Sequence, residues 1–267
     1  NGSRSWFKIG PFGLQPSEIA KVSLIIFLSK YLEKNQNNLS DIKKSILPVL
    51  GIIFLFFALI MLEPDFGTGM VIVLSLMLIL FISGVKLKFF ASLGVLGILG
   101  IAGLIIIAPY RLKRIISFLN PWSDPLGSGY QIIQSLYAIG PAGLLGLGFG
   151  KSIQKQFYLP EPQTDFIFAI ICEEFGLVGA ISVIVLFISL FYIILKISLK
   201  QSNLFAKYLS FGLGMQILLQ AALNLCVVTS LIPVTGVTLP FFSYGGSSLL
   251  VSMISIGIIL NVCGNSK

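Results

Sequence analysis

The chain has 267 residues, 56% of them hydrophobic and only 10% charged, and its mean hydropathy of +0.98 excludes an ordinary soluble domain, which needs far more polar surface. A net charge of +8 without aromatics interleaved among basic runs excludes nucleic-acid binding and reads instead as membrane orientation and contact with anionic lipid. There is no His and the three Cys show no paired spacing, which excludes His-based triads, His metal sites and a disulfide framework. Asp, Glu, Lys, Arg, Tyr and Ser are left for any chemistry.

The opening stretch "NGSRSWFK" is neither an initiator Met nor a signal peptide, so the chain reads as N-terminally incomplete. Seven hydrophobic segments follow, at about 16–33, 45–62, 68–85, 89–108, 166–196, 205–230 and 246–262, each near the ~20 residues that span hydrocarbon. The first opens on "QPSEIAK", with Pro16 in the first helical turn, where proline is tolerated. Glu18 and Lys21 lie three apart on one helical face and can pair. A charge within a span costs ~2.5–3.5 kcal/mol on insertion scales, so the pair is either a helix-start carboxylate with a snorkelling lysine or part of a polar cavity wall.

Between the second and third segments, "EPDFGT" is a tight turn. Its Asp65 is a helix cap or a cavity residue. After the fourth segment comes a connection of some 55 residues, about 109–164, too long for a structureless loop without a function. Its apolar residues at helical spacing predict short amphipathic or re-entrant pieces. Its basic residues Arg111, Lys113, Arg114, Lys151 and Lys155 are either headgroup contacts or an anion site, since arginine forks and lysine point charges suit phosphate.

The fifth segment is longer than a span and should tilt or project. It is entered through "LPEPQTDFIFAIICEEFG", which holds four of the chain's ten acids: Glu161, Asp165, Glu173 and Glu174. Thr164 or Asp165 is placed to cap the helix. On a continuous helix Glu173 lies ~12 Å beyond Asp165 at ~1.5 Å per residue. That exceeds the ~5 Å of a double-displacement carboxylate pair, so Asp165 and Glu173 are not nucleophile and acid. Glu173 and Glu174 face directions ~100° apart and read as structural. Before the last segment, "PVTGVTLPFFSYGGSS" suggests broken, cavity-lining backbone.

Lysine bias gives the orientation. The ends after the first, third and fifth segments hold Lys30, Lys34, Lys43, Lys44, Lys86, Lys88, Lys196, Lys200 and Lys207, against only Arg4 and Lys8 in the short segments on the other side. The lysine-rich side is cytoplasmic, which puts the 109–164 loop outside.

Taken together, "RSWFKIGPFGLQPSEIAK", "EPDFGTGMVIV", "PYRLKRIISFLNPWSDPLGSGYQIIQSLYAIG", "YLPEPQTDFIFAIICEEFG" and "IPVTGVTLPFFSYGGSS" resemble, in order and over nearly the whole chain, the SEDS (shape, elongation, division and sporulation) family of FtsW, RodA and SpoVE. The wording looks closest to the FtsW/SpoVE branch. The resemblance implies one all-α polytopic domain over 1–267, with ten spans in the family, seven readable here, and one large external loop. It implies a multi-pass bacterial cell-membrane peptidoglycan glycosyltransferase that polymerises lipid II for septal or spore wall and works with a class B penicillin-binding protein and other division or elongation proteins. The family's essential acid maps to Asp165, and its cavity residues map to Arg4, Glu18, Lys21 and Asp65.

Chemically, one base suffices to take the acceptor hydroxyl's proton while undecaprenyl pyrophosphate leaves by inverting displacement. Asp165 is the candidate base on the extracellular side. Arg4, Lys21, Arg111, Arg114 and Lys155 are candidates to meet the pyrophosphate. A divalent cation such as Mg could share that role, although no residue set fixes a metal site. A lipid II flippase and a division scaffold are the competing readings. A flippase would line a path through the bilayer with polar groups, whereas here they gather at the external rim.

Overall fold

The structure, a computed structural model, describes residues 7–9, 12–39, 41–63, 65–107, 116, 118–156 and 158–265. Eight helices of ten or more residues form among them: α1 (Pro16–Asn35), α2 (Leu47–Leu62), α3 (Phe66–Ile82), α4 (Leu87–Ile107), α5 (Tyr130–Ile139), α6 (Ile167–Lys200), α7 (Leu204–Val228) and α8 (Gly246–Gly264). All seven predicted hydrophobic segments are thus helices, and α5 is one of the short pieces expected in the long connection. A short hairpin precedes α1, with β1 (Phe7–Ile9) antiparallel to β2 (Phe12–Leu14) and Phe7 opposite Leu14. Three-residue strands are too short for a period-two pattern to register in a sequence.

Ile42–Leu62, Ile167–Lys200, Leu204–Val228 and Gly246–Gly264 are each long and apolar enough to cross a bilayer alone. α1 does not qualify because Glu18, Lys21, Lys30, Glu33 and Lys34 interrupt its apolar run. The outward faces carry the same message. On α2, Ile53 is buried while Phe54, Leu55 and Leu59 are exposed, so the exposed face is as apolar as the buried one. The protein is an all-helical integral membrane protein.

The chain divides into two compact units. The first comprises Asn1–Lys86, Phe187–Ala221 and Tyr244–Lys267. Its core is built from Ile25, Leu28 and Leu32 of α1, Ile72, Leu76 and Ile79 of α3, and Leu213 and Ile217 of α7. Gly212 lets α7 come close: a Cβ there would lie 2.8 Å from Ile25 Cγ2 and would press on Ile79. Small residues at such contacts let helices approach in a membrane, where burial of apolar surface does not drive association. Buried hydroxyls on α1 and α8 are satisfied within their own helices, Ser29 donating to the Ile25 carbonyl and Ser255 to the Val251 carbonyl.

The second unit comprises Leu87–Leu186 and Ala222–Ser243. Its main feature is a break in α6. Gly176 sits at φ 63°, ψ −154°, which no helix contains, so α6 is two helices joined there, Ile167–Phe175 and Leu177–Lys200. At ~1.5 Å per residue the first piece is only ~13 Å long and the second ~36 Å, so only the second is long enough to span. The surplus length of the fifth segment is therefore resolved by a break. The backbone groups freed by it are taken up by the preceding loop. Leu147 N and Gly148 N donate to the carbonyls of Glu173 and Glu174, and Leu177 N and Val178 N donate to those of Gly143 and Leu144. Irregular backbone within an apolar helix is tolerable only when it is satisfied in this way.

Candidate active site

Asp165 lies in the turn just before α6, whose first residue is Ile167. Because it precedes the helix, Asp165 and Glu173 do not share one continuous helix; the two residues belong to different local structures. The turn is tightly specified. Glu161 holds φ 53°, unusual for a residue with a Cβ, and its carbonyl and carboxylate both accept from Thr164 Oγ1. Ser243 Oγ donates to the Thr164 carbonyl at 2.5 Å and itself accepts from Leu239 N at 2.7 Å. Asn224 on α7 donates through Nδ2 to the carbonyls of Asp165 and Val237, each at 2.7 Å.

These bonds tie the Asp165 turn to the irregular 231–245 segment through main-chain atoms. The Asp165 side chain is half-buried, and its Oδ2 lies 3.7 Å from where a Cβ on Gly236 would be. Gly236 adopts φ +76°, so the backbone passes close to the carboxylate where few other residues could turn. A cleft of about 160 Å³ in this unit is lined by Gly127, Ser128, Gln131, Ile132 and Val234; its last residue lies two positions before Gly236.

In the first unit the predicted Glu18–Lys21 pair is present. Lys21 Nζ lies 2.7 Å from Glu18 Oε1 and donates to Gln220 Oε1 at 2.8 Å. Gln220 Nε2 in turn donates to Ser248 Oγ at 3.4 Å. Lys21 is 2% exposed and Glu18 5%, so the lysine does not snorkel; the ion pair is sealed among α1, α7 and α8. Asp65 caps α3 by accepting from Thr68 N at 3.0 Å, and it also accepts from Gln15 Nε2 at 3.0 Å. Next to it, Glu63 is held above the ordinary carboxylate value, by burial first and by the Asp65 charge second.

Glu173 and Glu174, expected to be structural, bond to the loop before α6, and Lys155 joins them. Lys155 Nζ sits 2.6 Å from Glu174 Oε1, so its charge is engaged within the protein. Glu174 also accepts from Gly150 N at 2.9 Å and Ser152 N at 3.3 Å. Glu173 accepts from Ser152 Oγ, from Ile153 N at 3.0 Å and from Gln154 N. The two carboxylates leave the helix in different directions, yet both end on residues 150–155, because that loop wraps the last turn before the break. Lys151, exposed on the same loop, makes no ion pair with any described residue.

Arg4, Arg111, Lys113 and Arg114 lie outside the described residues. Of the remaining candidates, Glu18, Lys21 and Asp65 belong to the first unit, and Asp165 and Lys155 to the second. Among the described residues no three His, Cys, Asp or Glu gather as a metal cage. Sequence reading missed the amides that organise both units. Gln216, Gln220 and Asn224 recur every fourth residue along α7, all buried, and such a polar stripe in an apolar span was a legible signal.

The family model for FtsW, RodA and SpoVE, described as "cell cycle protein", matches residues 1–267. Stage V sporulation protein E of Bacillus subtilis (strain 168) is 50% identical over 100% of this chain and 73% of that protein. The probable peptidoglycan glycosyltransferase FtsW of Coxiella burnetii is 43% identical over 98% of this chain and 71% of that protein. Among solved structures, a peptidoglycan synthase complex described as coordinating polymerization and crosslinking superposes with a TM-score of 0.79 at 29% identity, over 100% of this chain and 74% of that chain. The rod shape determining protein RodA of Thermus thermophilus superposes with a TM-score of 0.69 at 27% identity, over 100% of this chain and 71% of that one. With the sequence motifs, the helical membrane fold and the matched length in agreement, the chain belongs to the FtsW/RodA/SpoVE family.

Proposed function

We propose that this protein is a peptidoglycan glycosyltransferase that polymerises lipid II, with Asp165 as the base. The observation that carries the reading is the way Asp165 is held: Asn224 fixes its carbonyl and Ser243 that of Thr164, leaving a half-buried carboxylate facing Gly236. A helix cap alone would not require that the turn be pinned from two other segments. Fixed supports of this kind are what a base needs to meet a substrate proton at hydrogen-bond distance.

In the step itself the acceptor sugar's 4-hydroxyl gives its proton to Asp165. Its oxygen forms the new bond to the donor's anomeric carbon, and the bond from that carbon to the pyrophosphate oxygen breaks. The released undecaprenyl pyrophosphate carries the leaving electron pair, and the product has inverted configuration. Charge grows on the pyrophosphate, so a cation near it stabilises the transition state. Arg4, Arg111 and Arg114 are assigned this role from the sequence. Lys155, paired with Glu174, and Lys21, sealed against Glu18, are each engaged within the protein. A divalent cation such as Mg, if bound, would supply further positive charge against the pyrophosphate, although no three acids among the described residues gather to hold it.

Lysine bias supports the extracellular face for this chemistry. Likeness to a structure described as coordinating polymerization with crosslinking supports a class B penicillin-binding protein as partner, in septal or spore wall synthesis. The test is glycan polymerisation from lipid II by the full-length protein with that partner. Asp165→Asn is expected to abolish polymerisation while leaving the unfolding midpoint unchanged; an active Asp165→Asn protein would refute the assignment.

A further inference from the structure

The proposed chemistry makes no use of Glu173 and Glu174, yet both are buried, at 4% and 6% exposure. Two adjacent carboxylates removed from water are a costly way to stabilise a fold. Each costs several kcal/mol unless charges and hydrogen bonds compensate, and apolar residues of similar volume often stabilise as well or better. What a carboxylate does that an apolar residue cannot is accept several directed bonds at once. Here those bonds converge on one short stretch, residues 150–155, including four backbone N–H groups.

The residues just before that stretch, 143–148, are held as well, through main-chain bonds across the α6 break. Glycines allow the close approach. A Cβ on Gly146 would run into the Glu174 carbonyl, and one on Gly176 would come within 2.5 Å of Leu144 and Gly146 backbone atoms. The loop and the break are therefore one interlocked device. The piece of helix ending in that device, Ile167–Phe175, begins two residues after Asp165. A single short helix thus has the base at its head and the double clamp at its foot. With a rod of ~13 Å, a rotation of about 5° at the foot moves the head by about 1 Å.

We propose that Glu174, acting with Glu173, is a positioning residue for Asp165: the glutamate clamp on the 143–155 loop sets the angle of the half-helix and hence the place of the base. The inference rests on the reading of Asp165 as that base. Lys155 belongs to the clamp, since it supplies the one ion pair that the buried carboxylates make among the described residues.

The experiment measures initial polymerisation rates over a range of lipid II concentrations, using the full-length protein with its penicillin-binding partner. The variants are Glu174→Ala, Lys155→Met and Asp165→Asn. Hydrogen exchange of amides 146–155 is followed on the same samples. Glu174→Ala should lower kcat by about ten- to a hundredfold, the scale on which a displacement of ~1 Å is felt. KM should stay within about twofold, because no substrate contact is lost. Exchange of the loop amides should rise. Lys155→Met keeps both carboxylates and so tests the clamp if Glu174→Ala fails to fold; it should give a smaller loss of kcat with faster exchange at 150–155.

If either variant loosens the loop while kcat stays at the wild-type value and Asp165→Asn is inactive, the clamp is purely structural and the proposal is overturned. A rise in KM with kcat unchanged overturns it as well, since that marks a binding role. An active Asp165→Asn protein would instead bring down the base assignment itself, an outcome separate from the other two.

Discussion

Lys21 is buried inside the first unit, where Glu18 and Gln220 meet it among the described residues. Breaking a buried pair by removing one partner leaves the other charge stranded, at a cost of about 3–5 kcal/mol. Lys21→Met should therefore lower the thermal unfolding midpoint sharply in detergent. Lys21→Met combined with Glu18→Gln should recover much of it, because no bare charge remains. A single variant as stable as the wild type would mean that water reaches the pair. Glu63 makes a second prediction. Burial and then the Asp65 charge hold its carboxyl above the ordinary value of 4.5, so the native state binds this proton more tightly than the unfolded chain. Its contribution to stability is fully present below that value and is lost as pH rises through the higher native one. Glu63→Gln cannot ionise and should flatten the fall of the unfolding midpoint over that window; an unchanged slope would count against burial as the cause.

At the level of the element, α6 is the instructive case. Its sequence reads as one overlong span, and nothing in "EEFGLVGA" by itself requires a break, since glycine occurs inside many membrane helices. The break is required by the loop that pairs across it. Gly176 combines a backbone conformation closed to L side chains with backbone neighbours that cannot yield. Gly176→Ala should thus cost more than an ordinary helix substitution, of order 3 kcal/mol or above, read as a fall in the unfolding midpoint. Gly257→Ala, within α8 and with open space where the Cβ would sit, should cost far less. Equal losses would mean that the positive-φ conformation carries no special penalty. The Asp165 turn shows the opposite balance. Its local residues announce a helix start, but the bonds that fix it come from Asn224 and Ser243, far along the chain.

On the scale of the whole molecule, the proposed orientation rests on the charge distribution, since lysine bias favours it without reference to tertiary contacts. In a background with Cys172, Cys226 and Cys263 replaced by Ser, Lys151→Cys should react with a membrane-impermeant maleimide in intact cells. Lys200→Cys should react only after permeabilisation. The reverse pattern would invert the topology and remove Asp165 from the extracellular side. Exposed Lys151 suits the labelling because it makes no ion pair with any described residue.

The sequence by itself determined that this is a helical membrane protein and where its hydrophobic helices run, and it offered the Glu18–Lys21 pair and the Asp65 cap among its readings, both of which the structure contains. Each of these depends on hydropathy summed over a segment or on residues within a turn or two of one another, and such short-range terms are written directly in residue order. Family membership was legible for a related reason, since ordered motifs survive as strings. Only the tertiary structure decided that Glu173 and Glu174 converge on one loop, that Lys155 is committed to Glu174, that α6 breaks at Gly176, and that Asn224 holds the Asp165 turn. Those outcomes depend on hydrogen-bonding groups brought together from distant parts of the chain. Which donor a buried carboxylate finds is settled by packing, because the cost of leaving it unpaired is the same whichever segment supplies the partner.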